Sequence, residues 1–186
     1  MAKLIIISGA EATGKSHIRD ELAKRLGIEY LSKDVIKEKM FDEGTVSTWR
    51  FSWYEDRAND ELLRQTAVYL SENQSLIVEA NFKAGYEARL RELLRPDTET
   101  YEIFCRSRGF ASFRRFVKRN ETGSRHPGHH DRRWYLPVLV YSICGILKIN
   151  WPYKPMNLSQ KILRLDTTDL SKIDYAAITQ FISQPV

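Results

Sequence analysis

A single motif limits the possible folds of this chain more strongly than any other part of its sequence. Positions 9–16 read G-A-E-A-T-G-K-S, which matches the pattern G-x-x-x-x-G-K-[ST]. The apolar run L-I-I-I precedes the motif, and Ile18, Leu22 and Leu26 follow it at the spacing of one helix face. In such a strand–loop–helix setting, the N–H groups of the loop can cradle phosphate oxygens. The sequence therefore predicts a phosphate-binding loop.

The residue types of this loop predict how it binds a nucleotide. Lys15 can reach the β- and γ-phosphates, and the Ser16 hydroxyl can ligate Mg²⁺. The following helix directs the positive end of its dipole toward the phosphates. We expect the nucleotide to be contacted by Gly9, Ala10, Glu11, Ala12, Thr13, Gly14, Lys15, Ser16 and His17.

The rest of the chain alternates apolar, β-branched runs with helical patterns. The predicted strands cover residues 4–8, 29–32, 75–80, 100–105 and 162–166. The predicted helices include residues 15–26, 53–71, 84–94 and 110–119. This alternation predicts a three-layer α/β/α fold with a five-stranded parallel sheet, as in nucleoside and nucleotide kinases, and ligands at the carboxyl ends of the strands.

Composition narrows the class of protein. A chain of 186 residues suits one domain, residues 1–186, and its net charge of +5 favours an anionic ligand. Its two cysteines, Cys105 and Cys144, are too few for a disulfide framework and favour a cytoplasmic location. The run at 136–147 is too short to span a bilayer, so we predict a buried helix there and no membrane partner.

Two carboxylates stand at predicted strand ends, where ligands bind. Asp34 follows the second strand and can accept a proton from a substrate hydroxyl. Its alternative role is the N-cap of a following helix, but the phosphate loop upstream favours the base. Glu79 ends the third strand and can hold Mg²⁺ through water, or can be a partly exposed strand-end glutamate. Asn81 is a further candidate for orienting the substrate.

A basic helix is predicted at 110–119, with Phe110, Phe113 and Val117 on its buried face. A glycine- and polar-rich stretch at 120–131 follows it and predicts an exposed loop. Arginines on such a mobile flap can neutralise charge on a transferring phosphoryl group, although a charge run is usually a solvated helix face. The candidates are Arg119 and Arg125, followed by Arg115.

Histidines and aromatic residues offer weaker signals. His126, His129 and His130 lie close together but lack the second ligand pair of a structural zinc site, so a flap hinge or substrate contact is favoured. The aromatic cluster is better explained as part of the core than as the lining of an acceptor pocket; it consists of Trp49, Phe51, Trp53 and Tyr54. Asp56 and Arg57, on the same stretch, are candidates for contact with an acceptor. At the last strand end, Asp166 and Thr167 are candidates for adenine contact, or for a simple Asp/Thr turn.

These segments together resemble the predicted small kinases of the phosphate-loop superfamily, which are related to polynucleotide 5′-kinase and chloramphenicol phosphotransferase. The resemblance rests on G-A-E-A-T-G-K-S, S-K-D ending at Asp34, V-E-A-N-F at 78–82, the basic stretch at 115–129 that ends R-H-P-G-H, and L-D-T-T at 165–168. It implies an ATP-dependent kinase with Mg²⁺, a base at Asp34 and a lid at about 115–131 that carries Arg119 and Arg125.

The chain departs from this family at two loop positions. Ala12 stands where many relatives carry glycine, so the loop has less conformational freedom. Glu11 adds a carboxylate, which we expect to point away from the phosphates.

The favoured function is transfer of the ATP γ-phosphoryl group to a small-molecule hydroxyl. One alternative is a nucleic-acid 5′-hydroxyl kinase, but the sequence has no extended run of basic residues outside the lid, which disfavours nucleic-acid binding. The other alternative is a nucleotide-dependent switch or ATPase.

Overall fold

A sheet of five parallel strands lies at the centre of the fold. The structure, a computed structural model, describes residues 1–44, 51–82, 85–108, 110–122, 126–129, 135–146, 154–159 and 161–184. The strands are β1 (Lys3–Gly9), β2 (Glu29–Ser32), β3 (Leu76–Glu79), β4 (Glu99–Arg106) and β5 (Lys161–Asp166), in the order β2-β3-β1-β4-β5. The predicted parallel sheet is thus confirmed, and each strand boundary lies within one residue of its predicted position.

Helices connect and flank these strands. They are α1 (Lys15–Leu26), α2 (Lys33–Asp42), α3 (Phe51–Ser71), α4 (Tyr86–Leu93), α5 (Ala111–Glu121), α6 (Tyr135–Ile146) and α7 (Tyr175–Ser183). Among the described residues, single turns of 3₁₀ helix lie at Pro127–His129 and Leu170–Lys172. The helices predicted at 15–26, 53–71, 84–94 and 110–119 correspond to α1, α3, α4 and α5. The sequence analysis includes α2 only as the helix that Asp34 would cap, because α2 is short and rich in charge. It does not predict α7, which is a short apolar run that is equally typical of a strand.

Both faces of the sheet are covered, which explains the unbroken apolar run in β1. Leu4 and Ile6 point to one face, and Ile5 and Ile7 point to the other; all four are fully buried. The first face packs against α3 and α4 through Leu62, Leu70 and Leu90. The second packs against α1 and α7 through Ile18, Leu22, Ile178 and Ile182. Burial of each such side chain contributes roughly 1.5–3 kcal/mol, so this strand anchors the loop that follows it.

The region after β4 differs from its prediction in three respects. The apolar run at 136–147 does form a helix, α6, but it is buried only along one side: Val138 is inaccessible, whereas Leu136 and Ile143 are exposed. The exposed loop predicted at 120–131 is wrong where α5 extends into it and where His129 is buried against α2. The expected buried face of α5 is only partly correct, because Phe113 and Val117 are half-buried and are not the most buried residues of the helix.

In α5 the buried residues are Ser112 and Phe116, while Phe110 is exposed. The reason is that Phe116 packs edge-on against Tyr135 of α6, with ring centroids 5.0 Å apart, so α6 determines which side of α5 is covered. None of the described helices is long and apolar enough to cross a bilayer. Both cysteines are free thiols.

Candidate active site at the carboxyl edge of the sheet

The loop between β1 and α1 has a backbone that specific residues make possible. Gly9 has φ 141°, and a Cβ at this position would lie 2.4 Å from the Cys105 carbonyl oxygen, so only glycine fits. Gly14 adopts φ 91° as it leads into α1. Ala12 also adopts a left-handed conformation, with φ 56°, where an alanine is strained and a glycine is not. The two motif glycines are therefore required by the turn itself.

Side chains then hold this loop closed around its own carbonyl group. Lys15 Nζ donates a hydrogen bond to the Ala10 carbonyl oxygen at 2.7 Å, and Thr13 Oγ1 donates to the same oxygen at 2.8 Å. Lys15 is buried, while Ser16 and His17 are exposed. The ammonium group of Lys15 is thus already positioned at the mouth of the loop, at the N-terminus of α1.

A cavity of about 250 Å³ opens beside the loop and collects most of the predicted site residues. Those that line it are Glu11, Ala12, Gly14, Lys15, Ser16, Asp34, Glu79, Arg115 and Arg119. The predicted nucleotide contacts outside its lining are Gly9, Ala10, Thr13, His17, Asp166 and Thr167. Arg125 lies outside the described residues. Residues from four separate parts of the sequence therefore meet at the carboxyl edge of the sheet.

Asp34 lies in the first turn of α2 and lines the cavity. Ser32 occupies the N-cap position, so the alternative role of Asp34 as N-cap is wrong. A carboxylate in a first helical turn is stabilised by the helix dipole. Asp34 Oδ1 lies 3.9 Å from His129 Nδ1.

Glu79 is held at the end of β3 by a buried network. Its Oε2 accepts hydrogen bonds from Arg19 Nη1 at 3.1 Å and from Ser32 Oγ at 2.7 Å. The residue is 3% exposed, so the alternative of a partly exposed strand-end glutamate is wrong. Arg19 supplies a charge-assisted hydrogen bond to this buried carboxylate. The hydroxyl of Ser16 and the carboxylate of Glu79 are hard oxygen donors on one cavity, a donor set that suits Mg²⁺.

Arg115 links the phosphate loop to the end of β5. It donates hydrogen bonds to the carbonyl oxygens of Thr167 and Thr168, and its Nη1 lies 3.4 Å from the Ala12 carbonyl oxygen. Burial lowers the pKa of Arg115, and Asp169 opposes that shift. Arg119 follows one turn later, with its guanidinium group 5.6 Å from the centre of the Phe116 ring. The basic helix therefore presents both predicted cations to the cavity.

Strand β5 ends in an Asp/Thr turn, which is one of the two roles that the sequence predicts for this strand end. Asp166 Oδ1 accepts hydrogen bonds from the Thr168 backbone N–H at 2.9 Å and from Thr168 Oγ1 at 2.6 Å. Arg108 Nε pairs with the other carboxylate oxygen at 2.8 Å. Burial alone would raise the pKa of Asp166, but the hydrogen bonds from Thr168 and the charge of Arg108 outweigh it and lower the pKa. Adenine contact by Asp166 and Thr167 stays a prediction.

The segment after α5 docks onto α2 through its histidines. His129 Nε2 lies 2.7 Å from Glu38 Oε1, and His126 Nε2 lies 3.1 Å from Asp42 Oδ1. These contacts bring His129 to the cavity wall. In the part of the chain that the structure describes, no group of three His, Cys, Asp or Glu residues is arranged to hold a metal ion, and His130 lies outside that part.

Sequence reasoning missed a buried ion cluster in the wall of the cavity. Lys33 Nζ lies 2.9 Å from Glu55 Oε2, and Lys37 Nζ contacts the other oxygen of the same carboxylate. All three side chains line the cavity, and Lys33, Lys37 and Glu55 are only 5%, 3% and 9% exposed. We call this cluster (Lys33, Lys37 and Glu55) the acceptor wall, after the role that is proposed for it below.

Within the acceptor wall, the pKa values of Glu55 and Lys33 are shifted toward their ionised forms. Burial alone would raise the pKa of Glu55, but Lys33 and Lys37 outweigh it and lower the pKa. Burial alone would lower the pKa of Lys33, but Glu55 outweighs it and raises the pKa. The i,i+4 spacing of the two lysines on α2 is a visible signal, but their partner comes from α3, far away in sequence.

The residues near Glu55 that the sequence offered as acceptor contacts lie in different environments. Asp56 and Arg57 are exposed and do not line the cavity, whereas Tyr54 is buried in the core as favoured. Trp49 and the side chains of Phe51 and Trp53 lie outside the described residues. Glu11 lines the cavity, and its Oε1 accepts a hydrogen bond from Asn81 Nδ2 at 3.0 Å, so this loop carboxylate points toward the end of β3.

Several proteins of known structure are similar to this chain. A presumed kinase from Chloroflexus aurantiacus is 33% identical over 100% of this chain and 98% of its own, with a TM-score of 0.87. A sugar kinase from Janibacter sp. shares 18% identity over 98% of this chain and 96% of its own, with a TM-score of 0.58. Shikimate kinase from Bacteroides thetaiotaomicron shares 15% identity over 96% and 93%, with a TM-score of 0.53. The last two show a common fold.

No curated protein matches the chain at a significant level. A family model described as an AAA domain matches residues 4–134, which contain the phosphate loop, Asp34, Glu79 and the basic helix. The predicted phosphate-loop superfamily and kinase-like α/β fold are thereby confirmed. The chain belongs to this AAA domain family of phosphate-loop proteins.

Proposed function

We propose that this protein is an ATP-dependent phosphotransferase that transfers the γ-phosphoryl group to a hydroxyl of a small molecule. The observation that carries the proposal is that a phosphate loop, a first-turn aspartate and a basic helix line one cavity. Phosphoryl transfer needs positioning and charge neutralisation, which such an arrangement supplies. The kinase-like fold and the 33% identical presumed kinase support the same conclusion.

In the proposed step, the acceptor hydroxyl oxygen attacks the γ-phosphorus in line with the leaving oxygen. A new P–O bond forms, the bond from the γ-phosphorus to the β–γ bridging oxygen breaks, and its electron pair leaves with ADP. Asp34 accepts the hydroxyl proton. Lys15 and Arg119 offset the charge on the phosphate oxygens. Mg²⁺, held by Ser16 with Glu79 through water, adds further neutralisation when bound.

The basic helix and the docked histidine turn form the lid in this proposal. Because Arg115 ties α5 to the Ala12 carbonyl oxygen, movement of this helix is coupled to the phosphate loop. Closure of residues 115–131, including Arg125, would exclude water from the cavity and so limit ATP hydrolysis.

The test is transfer of label from γ-labelled ATP in the presence of Mg²⁺. One reaction contains a small-molecule cell extract, and another contains 5′-hydroxyl DNA oligonucleotides. We expect label in a small molecule, and loss of that label in Lys15→Ala and Asp34→Asn. The control Asp60→Asn removes an exposed carboxylate from α3 and should retain full transfer. Label on the oligonucleotide alone, or unchanged transfer by Asp34→Asn, would contradict the proposal.

A further inference from the structure

The acceptor wall narrows the chemistry of the acceptor. Resting on the function proposed above, we infer that the acceptor is a small polyhydroxylated compound, and that Lys33 binds a second oxygen of the molecule whose hydroxyl is phosphorylated at Asp34. Three features of the cavity carry this inference: the donors of Lys33, the position of Asp34 and the charge of the wall.

Lys33 is a buried cation with hydrogen-bonding capacity directed at the cavity. Its ammonium group has three donors. Within the part of the chain that the structure describes, one acceptor is hydrogen-bonded to it, Glu55 Oε2 at 2.9 Å. A charged group that is only 5% exposed is strongly disfavoured with unmet donors, so a ligand oxygen at this position is stabilising.

Lys33 and Asp34 are consecutive residues in the first turn of α2, and both line the same cavity. A ligand that presents a hydroxyl to the Asp34 carboxylate therefore shares this cavity with the Lys33 ammonium group. The ligand satisfies both only if it carries a second oxygen close to the first. Neighbouring hydroxyls, as in a sugar or polyol, meet this requirement.

The charge of the wall favours hydroxyl oxygens over an additional phosphate. The wall itself (Lys33, Lys37 and Glu55) carries one net positive charge, and the neighbouring Asp34 offsets it, so the four residues together carry no net charge. A strongly anionic group at this place would face both carboxylates. Among the described lining residues the aromatic rings are Phe116 and His129, and both are almost fully buried, so the cavity offers little surface for stacking a base.

Cavity size points the same way. About 250 Å³ lies below the roughly 300–1,000 Å³ typical of small-molecule pockets, and the phosphates of the nucleotide take part of it. The acceptor is therefore compact, with most of its surface able to hydrogen-bond.

Periodate supplies a test of acceptor class that needs no prior identification. Periodate cleaves vicinal diols, so a small-molecule cell extract is oxidised and quenched with sulfite before γ-labelled ATP and the wild-type protein are added. We expect transfer to the mock-treated extract and loss of transfer to the oxidised one. Equal transfer to both extracts would overturn the inference while leaving the proposed function intact. Absence of transfer to the mock-treated extract would instead overturn the proposed function.

Substitution of Lys33 tests the binding role with the same extract. Lys33→Met should raise the apparent KM for the extract by about tenfold, while the KM for ATP changes by less than about twofold. Lys39→Met, which removes an exposed lysine from the same helix, should change neither. Parallel changes in both KM values, or a fall in kcat alone, would show that Lys33 supports the fold and does not bind the acceptor.

Discussion

The two sides of the cavity are built in different ways. The nucleotide side is a continuous stretch, residues 9–16, whose backbone conformation is fixed by Gly9 and Gly14 and whose functional groups are largely main-chain N–H groups. The acceptor side is assembled from side chains of α2 and α3, and buried charges hold it together. The phosphate side is thus a local property of the chain, whereas the acceptor side depends on tertiary packing.

This difference has a functional meaning. A backbone cradle recognises phosphate, which every nucleoside triphosphate shares, and tolerates little variation in sequence. A cluster of side chains on separate helices can change one residue at a time without disturbing the loop. We therefore expect substitutions on the nucleotide side to affect the chemical step and ATP binding, and those on the acceptor side to affect stability and acceptor binding.

The largest expected effect is on catalysis, from Lys15→Ala. Removal of the ammonium group from the mouth of the phosphate loop should slow phosphoryl transfer by about 10³-fold, or about 4 kcal/mol of activation free energy. The thermal unfolding temperature should change little, because among the described residues this side chain makes one hydrogen bond, to the Ala10 carbonyl oxygen. Lys24→Ala, an exposed lysine of α1, is the control. A loss below tenfold would place the phosphates elsewhere.

On the acceptor side, Glu55→Ala should produce the largest loss of stability. It removes the carboxylate that separates two buried ammonium groups, and an uncompensated buried charge costs about 3 kcal/mol. The measurement is the free energy of unfolding in urea. Glu61→Ala, which removes a more exposed ion pair on the same helix, should cost less than about 1 kcal/mol. Equal costs would show that the acceptor wall contributes no buried pairing.

Acid should lower the free energy of unfolding through protonation of the same residue, Glu55. The pKa of Glu55 in the folded protein lies below its ordinary value of 4.5, so the unfolded state binds more protons as the pH falls. Its stabilising effect is complete well above pH 4.5 and is lost as the pH drops through the folded pKa. Unfolding free energy should thus fall below about pH 4.5, by up to about 1.4 kcal/mol per pH unit from this group, and Glu55→Gln should flatten that fall. An unchanged slope would contradict the lowered pKa.

Arg115→Met should affect the KM for ATP, whereas Lys33→Met should affect the KM for the acceptor. The guanidinium group holds the phosphate loop to the end of β5, so its loss should raise the KM for ATP by about tenfold and leave the KM for the acceptor nearly unchanged. Arg114→Met, on the exposed neighbour, serves as the control. A change in the KM for the acceptor alone would contradict the placement of Arg115 on the nucleotide side.

The smallest expected effect concerns strain on the nucleotide side. Ala12 has φ 56°, which glycine adopts without penalty, so Ala12→Gly should increase the unfolding free energy by about 1 kcal/mol. Urea denaturation measures this change. A loss of stability on substitution would mean that the loop carries no strain at this residue.

How much the sequence could predict follows from the same contrast. The motif and the apolar run of β1 determined the loop and the sheet, because both signals are contiguous. Asp34 and Glu79 could be found because each directly follows or ends a strand. Glu55 could not, since its partner Lys33 is 22 residues away and the pairing exists only once α2 packs on α3. The error on the buried face of α5 has a similar origin, because α6 covers that helix.

A structure of the protein with Mg²⁺ and a non-hydrolysable ATP analogue tests the division of the cavity most directly. We expect the triphosphate against residues 12–16, the ion near Ser16, and an open space between the γ-phosphate, Asp34 and Lys33. A triphosphate or base that occupies the acceptor wall and contacts Lys33, Lys37 or Glu55 would contradict the division, and with it the proposed route of phosphoryl transfer.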